Sequence, residues 1–323
     1  MTAILIARYI AEEEFRLWVD TNILKKELNQ DTLCTIELNY DTTPSIFAYD
    51  KYIAILNKNK LVLYTSEGTK VAELEVNISR VNVNKNGYVS VIIKNTTYKS
   101  VVVSYTQSGK ELFKTYLAHT YAICSDISGN NKYLAIGEID YSGTIVKSNI
   151  RIISISLAQT EPKKSEINKY ESANGEIVSN IKYQDKNDAI CMFNKYIQKV
   201  GVDSNERLLN FDNNSLFVDI NLKDSVAIVK KQSSGLFSYE YEMRIKSTTN
   251  NSENLYILDA SVPKDILISG NIIGIDLGTE VQIVNSKGML LKKYKSNQEI
   301  KGLAISEGIA GIIYKDKIEL INI

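Results

Sequence analysis

Residues 45–74 read SIFAYDKYIAILNKNKLVLYTSEGTKVAEL. A strand ends at a polar turn, a second and almost wholly apolar strand starts near Tyr52, and KLVLYT leads through Ser66-Glu67-Gly68 into KVAEL. β-Branched, aromatic and aliphatic residues form each run, and Asn, Asp, Ser and Gly separate the runs, which is the pattern of short antiparallel strands. The first half of this unit recurs as RVNVNKNGYVSVII, AICSDISGNNKYLAIGE, NIKYQDKNDAICMF, FVDINLKDSVAIVK, ILISGNIIGIDLG and GLAISEGIAGIIY. Second strands therefore begin near Tyr52, Tyr88, Tyr133, Ala189, Val226, Ile272 and Ile309, spaced by 36 to 56 residues and by about 43 on average. Four strands of five or six residues with their turns fill that period, which is one blade of a β-propeller.

The turn between third and fourth strands supports the same count. Tyr64-Thr-Ser-Glu-Gly68, Tyr105-Thr-Gln-Ser-Gly109 and Val284-Asn-Ser-Lys-Gly288 place glycine four residues after a strand residue. Val202-Asp-Ser-Asn205 is a shorter fourth copy with asparagine, the next best residue for a left-handed position. Seven units result. The last, EIKGLAISEGIAGIIYKDKIELINI, has three strands, and TLCTIEL at 32–38 is a strand with no blade of its own. The expected fold is thus all-β: a propeller of seven four-stranded blades over 33–323, closed by an N-terminal strand that completes the last blade and removes exposed sheet edges. A solenoid and two stacked β-sandwiches are the alternatives. A solenoid would need capping segments that the sequence does not show, and two sandwiches would not explain a period that runs through the whole length.

Before the repeats, residues 1–32 form a separate segment with one amphipathic helix expected over 12–28. Phe15, Trp18, Val19, Ile23 and Leu24 share a face, Glu12 to Glu14 lie at its positive end and Lys25 and Lys26 near its negative end. The apolar stretch from Ala3 to Ile10 is interrupted by Arg8 and is shorter than the ~20 residues of a membrane span.

Composition narrows the function. The 323 residues carry 38 Lys+Arg against 38 Asp+Glu, so no strong field recruits nucleic acid or an anionic membrane. A hydrophobic content of 44% suits a folded globule. One histidine excludes His-rich metal sites. Cys34, Cys124 and Cys191 sit in apolar runs and are expected as buried hydrophobes. Phosphate-binding glycine loops and the GxSxG elbow are absent. The turns SDISGNNK (125–132), YQDKND (183–188) and FDNNSLFVD (211–219) carry oxygen donors, but their Asn and Asp are those of turn formers and no EF-hand spacing occurs. No catalytic residue, cofactor or metal site is therefore expected. The alternative is a carboxylate-dependent hydrolase or lyase drawing on Asp126, Asp219 and Asp276 in the propeller channel.

Connections longer than a turn requires occur at 94–99, 140–148, 230–239 and 247–253. The first three, with the blade-to-blade connection at His119, fall on one rim, where loops on a rigid frame carry binding residues. Candidate binding residues are Tyr98, His119, Thr120, Tyr141 and Phe237.

Several longer stretches resemble one family: RLWVD (16–20), YDKYIAILNKNKLVLY (49–64), VNVNKNGYVSVI (81–92), GKELFKTYL (109–117), NIKYQDKNDAICM (180–192), GTEVQIVNSKGMLLKKY (278–294) and IAGIIYKDKIELINI (309–323). It is a family of β-propeller proteins of unknown function from low-GC Gram-positive anaerobes. The resemblance implies an N-terminal membrane anchor with the propeller outside the membrane, and no activity, cofactor or catalytic residue. Here the anchor is reduced to the few apolar residues before Glu12. The resulting expectation is a non-catalytic binding or scaffold propeller at the extracytoplasmic face of the cell membrane, with a protein or cell-envelope ligand as partner. A cytosolic scaffold is the alternative location.

Overall fold

The computed structural model describes residues 2–24, 32–38, 44–49, 52–57, 59–65, 67–75, 78–84, 86–93, 97–183, 187–211, 215–222, 225–233, 239–250, 252–258, 262–306 and 308–323. Its strands form seven four-stranded antiparallel sheets, the blades of a seven-bladed β-propeller. Blade 1 consists of Ser45–Tyr49, Tyr52–Asn57, Lys60–Thr65 and Lys70–Glu75. Blade 2 has Ile78–Val83, Val89–Ile93, Ser100–Tyr105 and Glu111–Leu117. Blade 3 has Thr120–Ile127, Tyr133–Asp140, Lys147–Ser154 and Glu166–Glu171. Blade 4 has Val178–Tyr183, Ala189–Phe193, Tyr196–Val200 and Asn205–Asn210. Blade 5 has Ser215–Leu222, Ser225–Ser233, Tyr239–Ser247 and Glu253–Ile257. Blade 6 has Asp265–Ser269, Ile272–Asp276, Glu280–Asn285 and Leu290–Lys295. Blade 7 has Gly302–Ile305, Ile309–Ile313, Lys317–Asn322 and, from the other end of the chain, Thr32–Glu37. The expected closure is present: Glu37 pairs with Lys317, Ile36 with Ile318, Thr35 with Glu319 and Cys34 with Leu320.

The chain divides into two compact units. Tyr40–Asn213 holds blades 1 to 4; Met1–Asn39 with Asn214–Ile323 holds the two N-terminal helices and blades 5 to 7. Within each unit, apolar clusters lie between successive blades. Ala54, Leu61 and Leu63 of blade 1 meet Val91, Val101 and Val103 of blade 2. Ile92, Val102 and Phe113 of blade 2 meet Leu134, Ile136 and Ile153 of blade 3. Middle strands are therefore covered on both faces, and Ser100–Tyr105 is buried at every position. This is why they read as continuous apolar runs instead of alternating ones. Fourth strands lie at an edge and alternate: in Glu111–Leu117 only Phe113 and Leu117 are buried.

The glycine turns behave as read. Gly68, Gly109 and Gly288 have φ of 80°, 81° and 77°. Asn205 does not belong with them. Its hairpin closes with Gly201 N–H on Ser204 O at 2.8 Å, which leaves Asn205 as the first residue of a strand, paired with Val200. Among the described residues the one non-glycine at positive φ is Asn131 (58°), in the first turn of blade 3.

The N-terminal segment departs from a single helix over 12–28. It forms α1 (Thr2–Ala11) and α2 (Glu13–Asn22), separated at Glu12, whose φ of −110° and ψ of 107° are extended. Apolar, helix-favouring residues in Ala3–Ile10 account for α1; residues 25–28 of the expected helix lie outside the described ones. Phe15, Trp18 and Val19 are half-buried, and α2 packs on Leu290–Lys295, the fourth strand of blade 6. Tyr9 Oη donates to Asp20 at 2.6 Å, and the Arg8 guanidinium lies 4.8 Å from the Phe15 ring centre, which joins α1 to α2. A short helix not read from sequence, α3 (Ile155–Thr160), is capped by Ser154 between the third and fourth strands of blade 3. Cys124 and Cys191 are buried, and burial pushes the Cys124 thiol up to about 12. Cys34 is only half-buried, because it lies on a fourth strand.

Candidate functional site: a tyrosine rim on blades 2 and 3

Alternation along the fourth strand of blade 2 turns Phe113 and Leu117 inward and leaves Tyr116 50% exposed. Two residues after Leu117 comes His119, exposed in the connection to blade 3, followed by Thr120 and Tyr121 at the open end of the next strand. Tyr121 is 40% exposed; the strand enters the core only at Ala122. The long connection between second and third strands brings Tyr98 and Lys99 in blade 2, and Tyr141 in blade 3, to the same place. The Tyr98 and Tyr116 rings are 4.7 Å apart at 44°. Tyr121 and Tyr141 meet edge to face at 5.7 Å and 86°. Lys99, next to Tyr98 in the chain, reaches across to blade 3 with its Nζ 5.2 Å from the Tyr121 ring centre.

A fixed base carries these side chains. Lys99 N–H donates to Leu117 O at 2.9 Å, and Ala122 N–H donates to Ser100 Oγ at 3.1 Å across the blade boundary. Thr120 Oγ1 donates to buried Glu138 at 2.7 Å, whose other oxygen accepts from Arg151 at 3.0 Å. The Ser142 side chain and, at 2.8 Å, its N–H both donate to Asp140, which holds the Asp140 carboxyl below the ordinary range and shapes the loop bearing Tyr141.

Four of the five sequence candidates lie here: Tyr98, Thr120 and Tyr141 within the contacts just described, and His119 exposed beside them. Phe237 lies outside the described residues. Sequence reasoning missed Tyr116, Tyr121 and Lys99, although the outward position of Tyr116 in GKELFKTYL was a usable signal. The connection read at 230–239 is shorter than expected, because the strands of blade 5 extend through Ser233 and resume at Tyr239.

The three carboxylates considered for hydrolysis are committed elsewhere. Asp126 accepts Ile127 N–H at 2.9 Å and, across to blade 4, Tyr183 N–H at 2.8 Å. Asp219 does the same with Ile220 at 2.6 Å and, in blade 6, Ile268 at 3.2 Å. Asp276 accepts Gly278 N–H at 2.7 Å. Asn82, in the first strand of blade 2, follows the same plan with its neighbour Val83, and its amide donates to Ser125 O of blade 3 at 3.1 Å. Lys182 Nζ donates to Asn82 Oδ1 at 2.6 Å. These residues fasten first strands to one another. Burial pushes Asp126 up to about 6 despite the nearby Lys182 ammonium. The Asn-rich turns also join blades: Asn84 donates to Ser128 O and Asn131 Oδ1 at 3.0 and 2.8 Å, and Asn86 donates to Gly129 O at 2.7 Å. Among the described residues no three His, Cys, Asp or Glu side chains converge in a metal-holding group.

The architecture is shared with solved propellers of very different sequence. The Pan2 WD40 domain of Neurospora crassa superposes with a TM-score of 0.60 at 9% identity, over 90% of this chain and 94% of that one. BamB from Moraxella catarrhalis gives 0.52 at 10% identity, over 90% and 97%. Hydrazine synthase of Kuenenia stuttgartiensis gives 0.57 at 9% identity, over 89% and 97%. At such identities the likeness concerns the fold alone. Comparison with curated proteins finds no match. Residues 35–323, all seven blades apart from the first residues of the closing strand, match one family along their whole length, and the chain belongs to that family of unknown function, DUF5711.

Proposed function

We propose that this propeller is a binding or scaffold protein that engages its partner through the tyrosine rim of blades 2 and 3. The observation that carries the reading is the pairing of four partly exposed tyrosines from two blades, with Lys99 of blade 2 over the Tyr121 ring of blade 3, on a hydrogen-bonded base. Tyrosine offers a large contact face and a polar tip at low entropic cost, and it is enriched where proteins bind. The WD40 domains and BamB among the similar folds fit such a role. Hydrolysis by Asp126, Asp219 and Asp276 draws no support, since backbone N–H groups occupy both carboxylate oxygens of Asp126 and Asp219 and one of Asp276. Arrays of random peptides and of glycans, probed with the wild-type chain and with a Tyr98→Ser/Tyr141→Ser variant, test the reading. Ligands retained by the wild type and lost by the variant are expected; an array with no variant-sensitive ligand overturns it.

The same proposal places the propeller outside the cell membrane, with its N-terminal segment at the lipid. Support comes from α1, on which Ile4, Leu5, Ile6 and Ile10 are 50–73% exposed and distributed around the helix. No helix among the described residues is long and apolar enough to cross a membrane. A Ser142→Cys variant labelled by a membrane-impermeant maleimide in intact cells is the expected result; labelling only after lysis refutes this placement.

A further inference from the structure

We infer that the occupant of the tyrosine rim is an extended, proline-rich segment with an acidic residue beside its prolines. The inference rests on the rim being the binding surface and adds the class of partner. Ring orientation is the first argument. Tyr98 and Tyr116 are inclined at 44°, and Tyr121 stands at 86° to Tyr141. No two of these paired rings form the coplanar platform on which a sugar lays its C–H face. They make two aromatic ridges instead, and proline rings projecting every third residue from a polyproline II helix fit against ridges. That helix has no internal hydrogen bonds, so its carbonyls are free to accept from phenolic hydroxyls at the rim. Its conformation exists before binding, so little ordering entropy is lost on an open surface.

Charge supplies the second argument. Cations of the adjoining part of blade 3 face carboxylates: Arg151 meets Glu138 and Glu166, and Lys147 meets Glu171. Lys99 lies over a tyrosine ring instead, and among the described residues it has no ion pair. Asp140, the nearby acid, turns to its own loop through Ser142 N–H. Among the described residues of the rim, Lys99 is thus the charge left for a ligand, and it selects a carboxylate. With one such cation among the described residues of the rim and a net charge of zero on the chain, a polyanion is not favoured.

Fluorescence anisotropy with labelled decaproline, with decaproline flanked by glutamates, and with labelled cellohexaose and chitohexaose tests this. The glutamate-flanked peptide is expected to bind most tightly. Tyr121→Ala and Tyr141→Ala should each weaken it about two- to tenfold, the range for loss of one aromatic contact. Lys99→Gln should remove the advantage of the flanked peptide over plain decaproline. Tyr141 lies in a loop, so its variant keeps the test decisive should Tyr121→Ala fold poorly. Absence of binding by either peptide up to ~2 mM, a few kcal/mol of affinity, overturns the inference. So does peptide binding that none of the variants changes. Variant-sensitive binding of a hexasaccharide without the peptides also overturns it while leaving the rim as the binding surface; the random arrays separate the same two outcomes.

Discussion

Asp126 spends both carboxylate oxygens on backbone N–H groups, one in its own strand and one in blade 4, and it does so while buried. The burial raises its pKa from the ordinary 3.8 to about 6. A carboxyl that holds its proton more tightly in the folded chain adds stability below the unfolded value, and that contribution is lost as pH rises from about 4 through 6. Urea unfolding across pH 4 to 7 should show the wild type losing up to ~3 kcal/mol relative to Asp126→Asn over this window. A constant difference between the two would show that Asp126 does not titrate in this way. Glycines act at the same scale. A Cβ at Gly288 would stand 2.9 Å from Leu255 O in addition to the strain of a positive φ; at Gly175, φ 78°, it would meet nothing within 4 Å. Gly288→Ala should therefore cost about 2–3 kcal/mol and Gly175→Ala about 1, read as shifts in urea midpoint. The left-handed turns at Gly68, Gly109 and Gly288 were legible because only glycine fits them freely. The clasp made by Asp126 was not, since its partner lies 57 residues away.

Strand order within a blade follows from apolar runs and turns, but the treatment of edges is a property of whole elements. The fourth strand of blade 6 is covered by α2, and the third strand of blade 7 is paired by Thr32–Glu37. Removing residues 1–24 should leave the seven blades folded while exposing one strand edge. Removing 1–38 leaves the outer edge of Lys317–Asn322 unpaired, and sedimentation should then show self-association absent from the shorter deletion. Trp18 is the chain's only tryptophan and reports on α2. Its emission should shift to the red at lower urea than the loss of strand signal, because a docked helix opens before a cross-packed sheet. Coincident transitions would mean that α2 unfolds with the blades. At the rim, the long connections announced Tyr98 and Tyr141. Tyr116 and Tyr121 were hidden in strands, where a tyrosine ordinarily packs inward, and only the outward register of those two residues makes them part of the patch.

Closure of blade 7 joins residues about 285 positions apart through an antiparallel pairing in which Thr32 faces Ile321. Ile323 and Thr32 are therefore placed as the two ends of an ordinary hairpin. A permuted chain running from residue 44 to 323 and continuing through an Asn-Gly turn into residues 32–38 should keep the strand content of the native protein. Its urea midpoint should exceed that of the chain lacking 1–38, since the fourth strand is then supplied without a long loop closure. An unfolded permutant would refute the closure. The repeat, the number of blades and the identity of the closing strand were determined by the sequence itself. Burial on both faces imposes an unbroken apolar run on each middle strand, and tight hairpins impose glycine, so both leave marks within a few consecutive residues. Which side chains from separate blades meet leaves no such mark. That Lys99 lies over Tyr121, that Asp126 holds blade 4, and that Glu138 anchors Thr120 were decided by the packing of one sheet against the next, where the partners are set by distance in space and not by spacing along the chain.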